Sequence, residues 1–248
     1  MKNITTLFAI ICLSVLFLIP TKSQSQKIFR TGYNSHFYLS GSYLNTYETN
    51  HVTASDGYYS EGNFGRKYFK SDLGFQFSEI FAIEFGYTRR SLWVTKDLSH
   101  EGLRISQGGF SMSRINYLSA KLVHSLKLTN KFNIKTGLGW SIGNTNGNVR
   151  TLQGSETTTK NGLLEYTETP TIQFLHTGIS HFLVTNIGAE FNVNKRIGLF
   201  INGIMYHGRT ALVQEDIEYA IGEDSGTLSN TVYGGFKALE IGATFRFN

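Results

Sequence analysis

Residues 117–143 read YLSAKLVHSLKLTNKFNIKTGLGWSIG. In the second half, Phe132, Ile134, Thr136, Leu138, Trp140 and Ile142 share one parity, against Asn133, Lys135, Gly137, Gly139 and Ser141. In the first half, Leu122, His124 and Leu126 lie on one parity and Lys121 on the other. A period of two is the signature of a β-strand with one apolar and one polar face. Thr129–Lys131 leaves room only for a tight turn, so the stretch is an antiparallel hairpin.

The same pattern recurs on both sides. Phe69, Ser71, Leu73, Phe75 and Phe77 alternate with Lys70, Asp72, Gly74 and Gln76. Phe81, Ile83, Phe85 and Tyr87 alternate with Glu84, Gly86, Thr88 and Arg90. Leu183, Thr185, Ile187, Ala189, Phe191 and Val193 oppose Asn186, Gly188, Glu190 and Asn192. Leu239, Ile241, Ala243, Phe245 and Phe247 oppose Glu240, Gly242, Thr244 and Arg246. With weaker tracts at Phe37–Tyr47, Tyr117–Leu128 and Ile197–Tyr206, the count is eight.

The joins alternate in length. Ser78–Ile80, Thr129–Lys131 and Asn194–Arg196 are tight turns. Glu48–Gly65, Lys96–Ser113, Asn144–Pro170 and Gly208–Gly234 are long, polar and read as solvated loops, the third carrying Thr157, Thr158 and Thr159 in a row. A soluble sandwich gives no reason for this alternation. An up-and-down transmembrane barrel does, with short periplasmic turns, long extracellular loops and an even strand number. The expected fold is therefore all-β: an eight-stranded antiparallel barrel, apolar side out.

Composition agrees. The chain has 248 residues, 14% aromatic and 17% charged, with 26 Gly and 2 Pro, a balance that excludes a disordered chain. A net charge of +5 is too small to argue for a nucleic-acid partner. Residues 1–25 read as a cleaved signal peptide: Lys2, then an apolar run from Ile4 to Ile19, then small residues that fit cleavage after Ser23 or Ser25. That run falls short of the ~20 residues a membrane-spanning helix needs. Cys12, the single cysteine, lies inside it. Residues 26–248 then form one barrel domain.

These features resemble the small eight-stranded outer-membrane barrels of the OmpA transmembrane-domain and OmpX type. Gln24 and Gln26 after the apolar run, with the aromatic finish, resemble the outer-membrane barrel proteins common in Bacteroidetes. The resemblance implies residence in the cell outer membrane, with lipid and lipopolysaccharide around the barrel and the long loops outside. Leu239, Ile241, Phe245 and Phe247 resemble the C-terminal signal read by the barrel-assembly machinery, displaced by one residue because Asn248 is terminal.

Parity assigns the lumen. Lys70, Arg90, Lys121, Lys135 and Arg246 face inward with Asp72, Glu84, Glu190 and Glu240; Lys127, beside a turn, is left in water. Eight strands enclose a space that side chains fill. Charges there must pair, so the expectation is a plug of ion pairs and no open pore. Loop Lys and Arg residues are candidates for lipopolysaccharide phosphates.

Chemistry is harder to find. Lipid A deacylases of this barrel size carry a His with a Ser two residues later. His207 is the best-placed His, but residue 209 is Arg. No catalytic set, metal cluster or cofactor motif is expected. His124, outward and opposite Thr136, is a candidate contact with another membrane protein. The function expected is structural or surface-binding, toward a ligand the sequence does not identify. A lipid-modifying enzyme and an accessory subunit of a secretion or transport complex are the alternatives. Mass spectrometry of the mature protein should find an N-terminus at residue 24 or 26; an N-terminus at Met1 contradicts the leader.

Overall fold

The computed structural model describes residues 35–49, 51–54, 59–61, 63–100, 103–146, 156–160, 164–176 and 178–247. The expected leader lies outside them. Eight strands form the barrel wall: β1 (His36–Thr49), β4 (Asn63–Gln76), β5 (Phe81–His100), β6 (Leu103–Lys127), β7 (Phe132–Asn146), β10 (Gly178–Asn192), β11 (Ile197–His207) and β14 (Phe236–Arg246). Each pairs antiparallel with the next. The ring closes where β1 meets β14, from Tyr38↔Arg246 to Tyr47↔Lys237. Each of the eight alternating tracts thus becomes one wall strand, and the closed wall leaves no open edge.

Its surfaces are inverted relative to a water-soluble protein. Tyr43 (68%), Ile179 (61%) and Phe85 (59%) are exposed on the outside, while Lys70 (0%), Glu240 (1%) and Asp72 (3%) are buried inside. Water would favour the reverse. Such a continuous apolar exterior calls for an apolar surround.

The three tight turns are built alike. Ser78 Oγ accepts from the N–H groups of Ile80 and Phe81 at 3.3 and 2.9 Å. Thr129 Oγ1 accepts from Lys131 and Phe132 at 3.2 and 3.0 Å. Asn194 Oδ1 accepts from Arg196 and Ile197, both at 2.8 Å. Each time a short polar side chain satisfies the donors two and three residues ahead, the mechanism that makes Ser, Thr and Asn good turn formers.

The long connections differ from the solvated loops expected. β5 and β6 continue as one hairpin to His100↔Leu103, so most of Lys96–Ser113 is wall extended past the barrel. The other three contribute β2 (His51–Ala54), β3 (Tyr59–Glu61), β8 (Glu156–Lys160), β9 (Leu164–Leu175), β12 (Ala211–Ile221) and β13 (Asp224–Tyr233). β3 pairs with β5; the other five form a second sheet in the order β2-β13-β12-β9-β8, and β13 lies against β5. Thr157–Thr159 are inside β8. On one face of this sheet, Val213, Glu215, Ile217, Tyr219, Leu228, Asn230 and Val232 are buried. Glu215 and Asn230 interrupt the apolar row, and Pro170 sits within β9. Those residues hid the strands from a reading based on apolar alternation.

Inside the wall, Gly74 makes space for the ring of Tyr38 on the adjacent strand, where a Cβ would overlap the ring atoms. Gly74→Ala should therefore displace Tyr38 and lower stability by about 1–3 kcal/mol. Urea unfolding in lipid vesicles, followed by tryptophan fluorescence, measures it.

Candidate functional site

Among the described residues, the lumen is where the barrel gathers charges of opposite sign, and it is built in two layers. Nearest the tight turns, Arg246 Nη2 lies 2.7 Å from Glu190 Oε1, and Lys135 Nζ lies 3.0 Å from Glu190 Oε2. The Lys135 ammonium also sits 5.6 Å from the centre of the Tyr38 ring. The Tyr38 hydroxyl donates to Glu84 at 2.8 Å. Lys121 pairs with Glu84 at 2.8 Å and approaches Asp72 at 3.7 Å. Lys70 bridges Asp72 and Glu240, the latter at 2.7 Å. Glu240 also accepts from Ser42 at 2.7 Å and from Asn202 at 2.9 Å.

The wall geometry explains why these groups meet. Each occupies an inward position of its strand, and every one of the eight wall strands supplies at least one member. Gly86, Gly137, Gly188 and Gly198 lie beside Asp72, Asn186, Asn202 and Glu190, where a Cβ would intrude on the polar side chain. What remains open is a void of ≈ 20 Å³ lined by Ser40, Lys70, Asp72, Glu84, Lys121 and Glu240 among others. That is room for about one water.

Eight of the nine inward charges picked out by parity lie in this layer. Arg90 does not. It stands higher, donating to the Tyr117 hydroxyl and to the Gly234 carbonyl, each at 3.1 Å, with its guanidinium 4.8 Å from the centre of the Phe236 ring. Its departure leaves four cations, Lys70, Lys121, Lys135 and Arg246, against four carboxylates, Asp72, Glu84, Glu190 and Glu240.

Arg90 belongs to the second layer, which sequence reasoning missed. Tyr117, Phe182, Tyr206 and Phe236 fill the lumen toward the long connections; Tyr206 and Phe236 stack at 4.4 Å, and Tyr117 meets Phe182 at 5.3 Å. Tyr117 donates to the Gly234 carbonyl at 2.8 Å. Leu212, Val213 and Val232 of the second sheet complete the same apolar cluster. A signal was present. Each aromatic lies four residues from an inward polar residue on its own strand: Tyr117 from Lys121, Phe182 from Asn186, Tyr206 from Asn202 and Phe236 from Glu240. Equal parity and equal spacing put all four rings on one level, roughly 13 Å above the polar residues at ~3.3 Å per residue.

The remaining expectations fall on the outer wall. His124 does pair in register with Thr136, but it is buried (5%) with its ring 5.3 Å from that of Phe81. It is therefore covered by its own chain and offers no exposed contact to a second protein. His207 faces outward and is hydrogen-bonded to Thr185 at 2.8 Å, not directed into the lumen. Trp140 Nε1 donates to His181 Nδ1 at 3.1 Å on the same exterior. Leu239, Ile241 and Phe245 are exposed along β14, with Phe247 just beyond it.

No family model matches the sequence, and no curated protein matches it. The fold has counterparts among solved structures. The outer membrane protein OprG from Pseudomonas aeruginosa superposes with a TM-score of 0.50 at 12% identity, over 86% of this chain and 96% of that one. Neisserial surface protein A gives a TM-score of 0.47 at 10% identity, over 87% of this chain and 100% of that one. The likeness to OprG is one of fold: this chain has the closed, eight-stranded antiparallel barrel of outer-membrane proteins.

Lys70 is the keystone of the lower layer, since two buried carboxylates converge on it. Removing one partner of a buried ionic cluster leaves uncompensated charge and costs about 3–5 kcal/mol. Lys70→Met should lose that much in urea unfolding. Combining it with Glu240→Gln, which restores the balance of charge, should recover part of the loss.

Proposed function

We propose that this chain is an outer-membrane protein with a structural or surface-binding role, and that its barrel is not an open pore. The observation that carries the reading is the two-layer filling of the lumen. An eight-stranded wall is only wide enough for side chains. Here both a neutral ionic layer and an aromatic layer cross it. The apolar exterior supports placement in lipid. The finer kinship, with the OmpA transmembrane-domain and OmpX type and with Bacteroidetes barrels, belongs to the same proposal.

In this reading the tight turns face the periplasm and the second sheet faces the cell exterior, where a ligand meets β-structure instead of free loops. The β14 residues Leu239, Ile241 and Phe245, with Phe247, are what the barrel-assembly machinery engages. The lumen residues act as a scaffold, and no catalytic step is assigned to them.

Planar bilayers test the central claim. The purified protein should insert without producing large, stable conductance steps. Lys70→Ala combined with Tyr117→Ala and Phe236→Ala, which opens both layers, should raise conductance. Large steps from the unaltered protein would overturn the closed-lumen reading.

A further inference from the structure

Among the described side chains of the barrel-wall strands, the carboxylates lie on one side. Asp72, Glu84, Glu190 and Glu240 all point inward. The outward positions from Phe37 to Tyr47, Lys67 to Phe77, Phe81 to Ser91, Arg114 to Leu126, Phe132 to Asn144, Ile179 to Phe191, Ile197 to His207 and Lys237 to Phe245 hold no acid at all. They do hold Lys67, Arg89, Arg114 and Lys237, all exposed and all toward the end opposite the tight turns.

Three of these cations gather on adjacent strands. Arg89 of β5 pairs in register with Asn116 of β6, and Arg114 pairs with Ser91, so the two arginines are diagonal neighbours on one face. Such neighbours stand about 7–8 Å apart. The β4–β5 pairing ends at Lys70↔Thr88, and beyond it the Tyr68 hydroxyl donates to the Ser91 carbonyl at 3.0 Å, so Lys67, the next residue along β4, is near Ser91 on the other flank of β5. Arg89 and Arg114 flank Ser91 on β5 and β6, with Lys67 on β4. The Tyr87 hydroxyl donates to Asn116 Oδ1 at 2.9 Å, which fixes the amide with its NH2 group free to donate outward. None of the three cations forms an ion pair among the described residues.

Like charges on neighbouring strands repel, and the outward positions named above hold no acid to offset these. A phosphate from outside the chain would supply the compensating charge. Just below them Phe69 (58%), Tyr87 (44%) and Leu118 (55%) present the apolar band to the surroundings. The cations thus stand where hydrocarbon gives way to headgroups, the level at which long basic side chains place their charged ends. A guanidinium matches a phosphate with two parallel hydrogen bonds, and two guanidiniums with an ammonium match a multiply charged one.

We propose that Lys67, Arg89 and Arg114, with Asn116, form a binding site for the phosphate groups of a membrane lipid in the leaflet at the long-connection end. The inference rests on the membrane placement proposed above. The lipid is held against the wall from outside, independently of the lumen and the second sheet.

The test is native mass spectrometry of the full-length mature protein in detergent supplemented with bisphosphorylated lipid A. Heat-modifiable gel mobility reads folding of every sample; a protein that does not fold in detergent at all contradicts the barrel reading itself, not this site. The folded protein should retain lipid A and should lose it when the phosphates are removed from the lipid. The variant carrying Lys67→Gln, Arg89→Gln and Arg114→Gln should retain on the order of a hundredfold less. The variant carrying Lys131→Gln, Lys195→Gln and Arg196→Gln, at the tight turns, should bind like the unaltered protein. If the triple variant misfolds, Arg89→Gln and Arg114→Gln singly must each weaken retention. Equal retention by the Lys67, Arg89 and Arg114 variant, or equal loss in the turn variant, overturns the site. Displacement of the lipid by millimolar inorganic phosphate would assign the site to free phosphate and overturn the lipid assignment.

Discussion

Charge neutrality inside a closed wall is the constraint on which the rest of this structure depends. Four cations and four carboxylates share one buried layer, and Lys70 and Glu190 each hold two opposite charges. An unpaired charge in that space would cost several kcal/mol. Each strand therefore has to arrive in the register that delivers its polar group to the right level. Since the side-chain period is two, a slip of one residue would turn the charges into lipid and the apolar row inward. The ionic layer and the apolar exterior consequently specify the same register from opposite sides of the wall.

Much of this was legible from parity. The residue that faces in on each strand follows from a two-residue period, and nine charged positions could be chosen that way. Parity gives a direction but no height. Arg90 shares the inward face of Glu84, yet stands six residues nearer the long connections and ends among Tyr117, Phe236 and the Gly234 carbonyl. The aromatic layer was hidden for a related reason: its four rings are far apart in the sequence, and their common level appears only once strand registers are known. The second sheet was hidden differently. Its strands carry Glu215, Asn230 and Pro170 at positions where an apolar alternation would have announced them.

The same division explains the two faces of the wall. Inside, opposite charges answer one another within the chain. Outside, among the described side chains, the wall has cations near one rim and no carboxylate beside them. The interior is balanced within the chain, and the proposed phosphate contact is what would balance the rim.

The three side-chain-capped turns have a consequence for assembly. Ser78, Thr129 and Asn194 each close a hairpin whose strands adjoin in sequence, β4–β5, β6–β7 and β10–β11. Such closures are entropically cheap, because loop-closure entropy grows with the length of chain enclosed. The β1–β14 seam is the opposite case, since it joins Tyr38 to Arg246 across nearly the whole chain. Topology therefore divides construction of the barrel into local hairpins that the sequence can start by itself, and one distant seam that rewards the chain only when the other strands are in place.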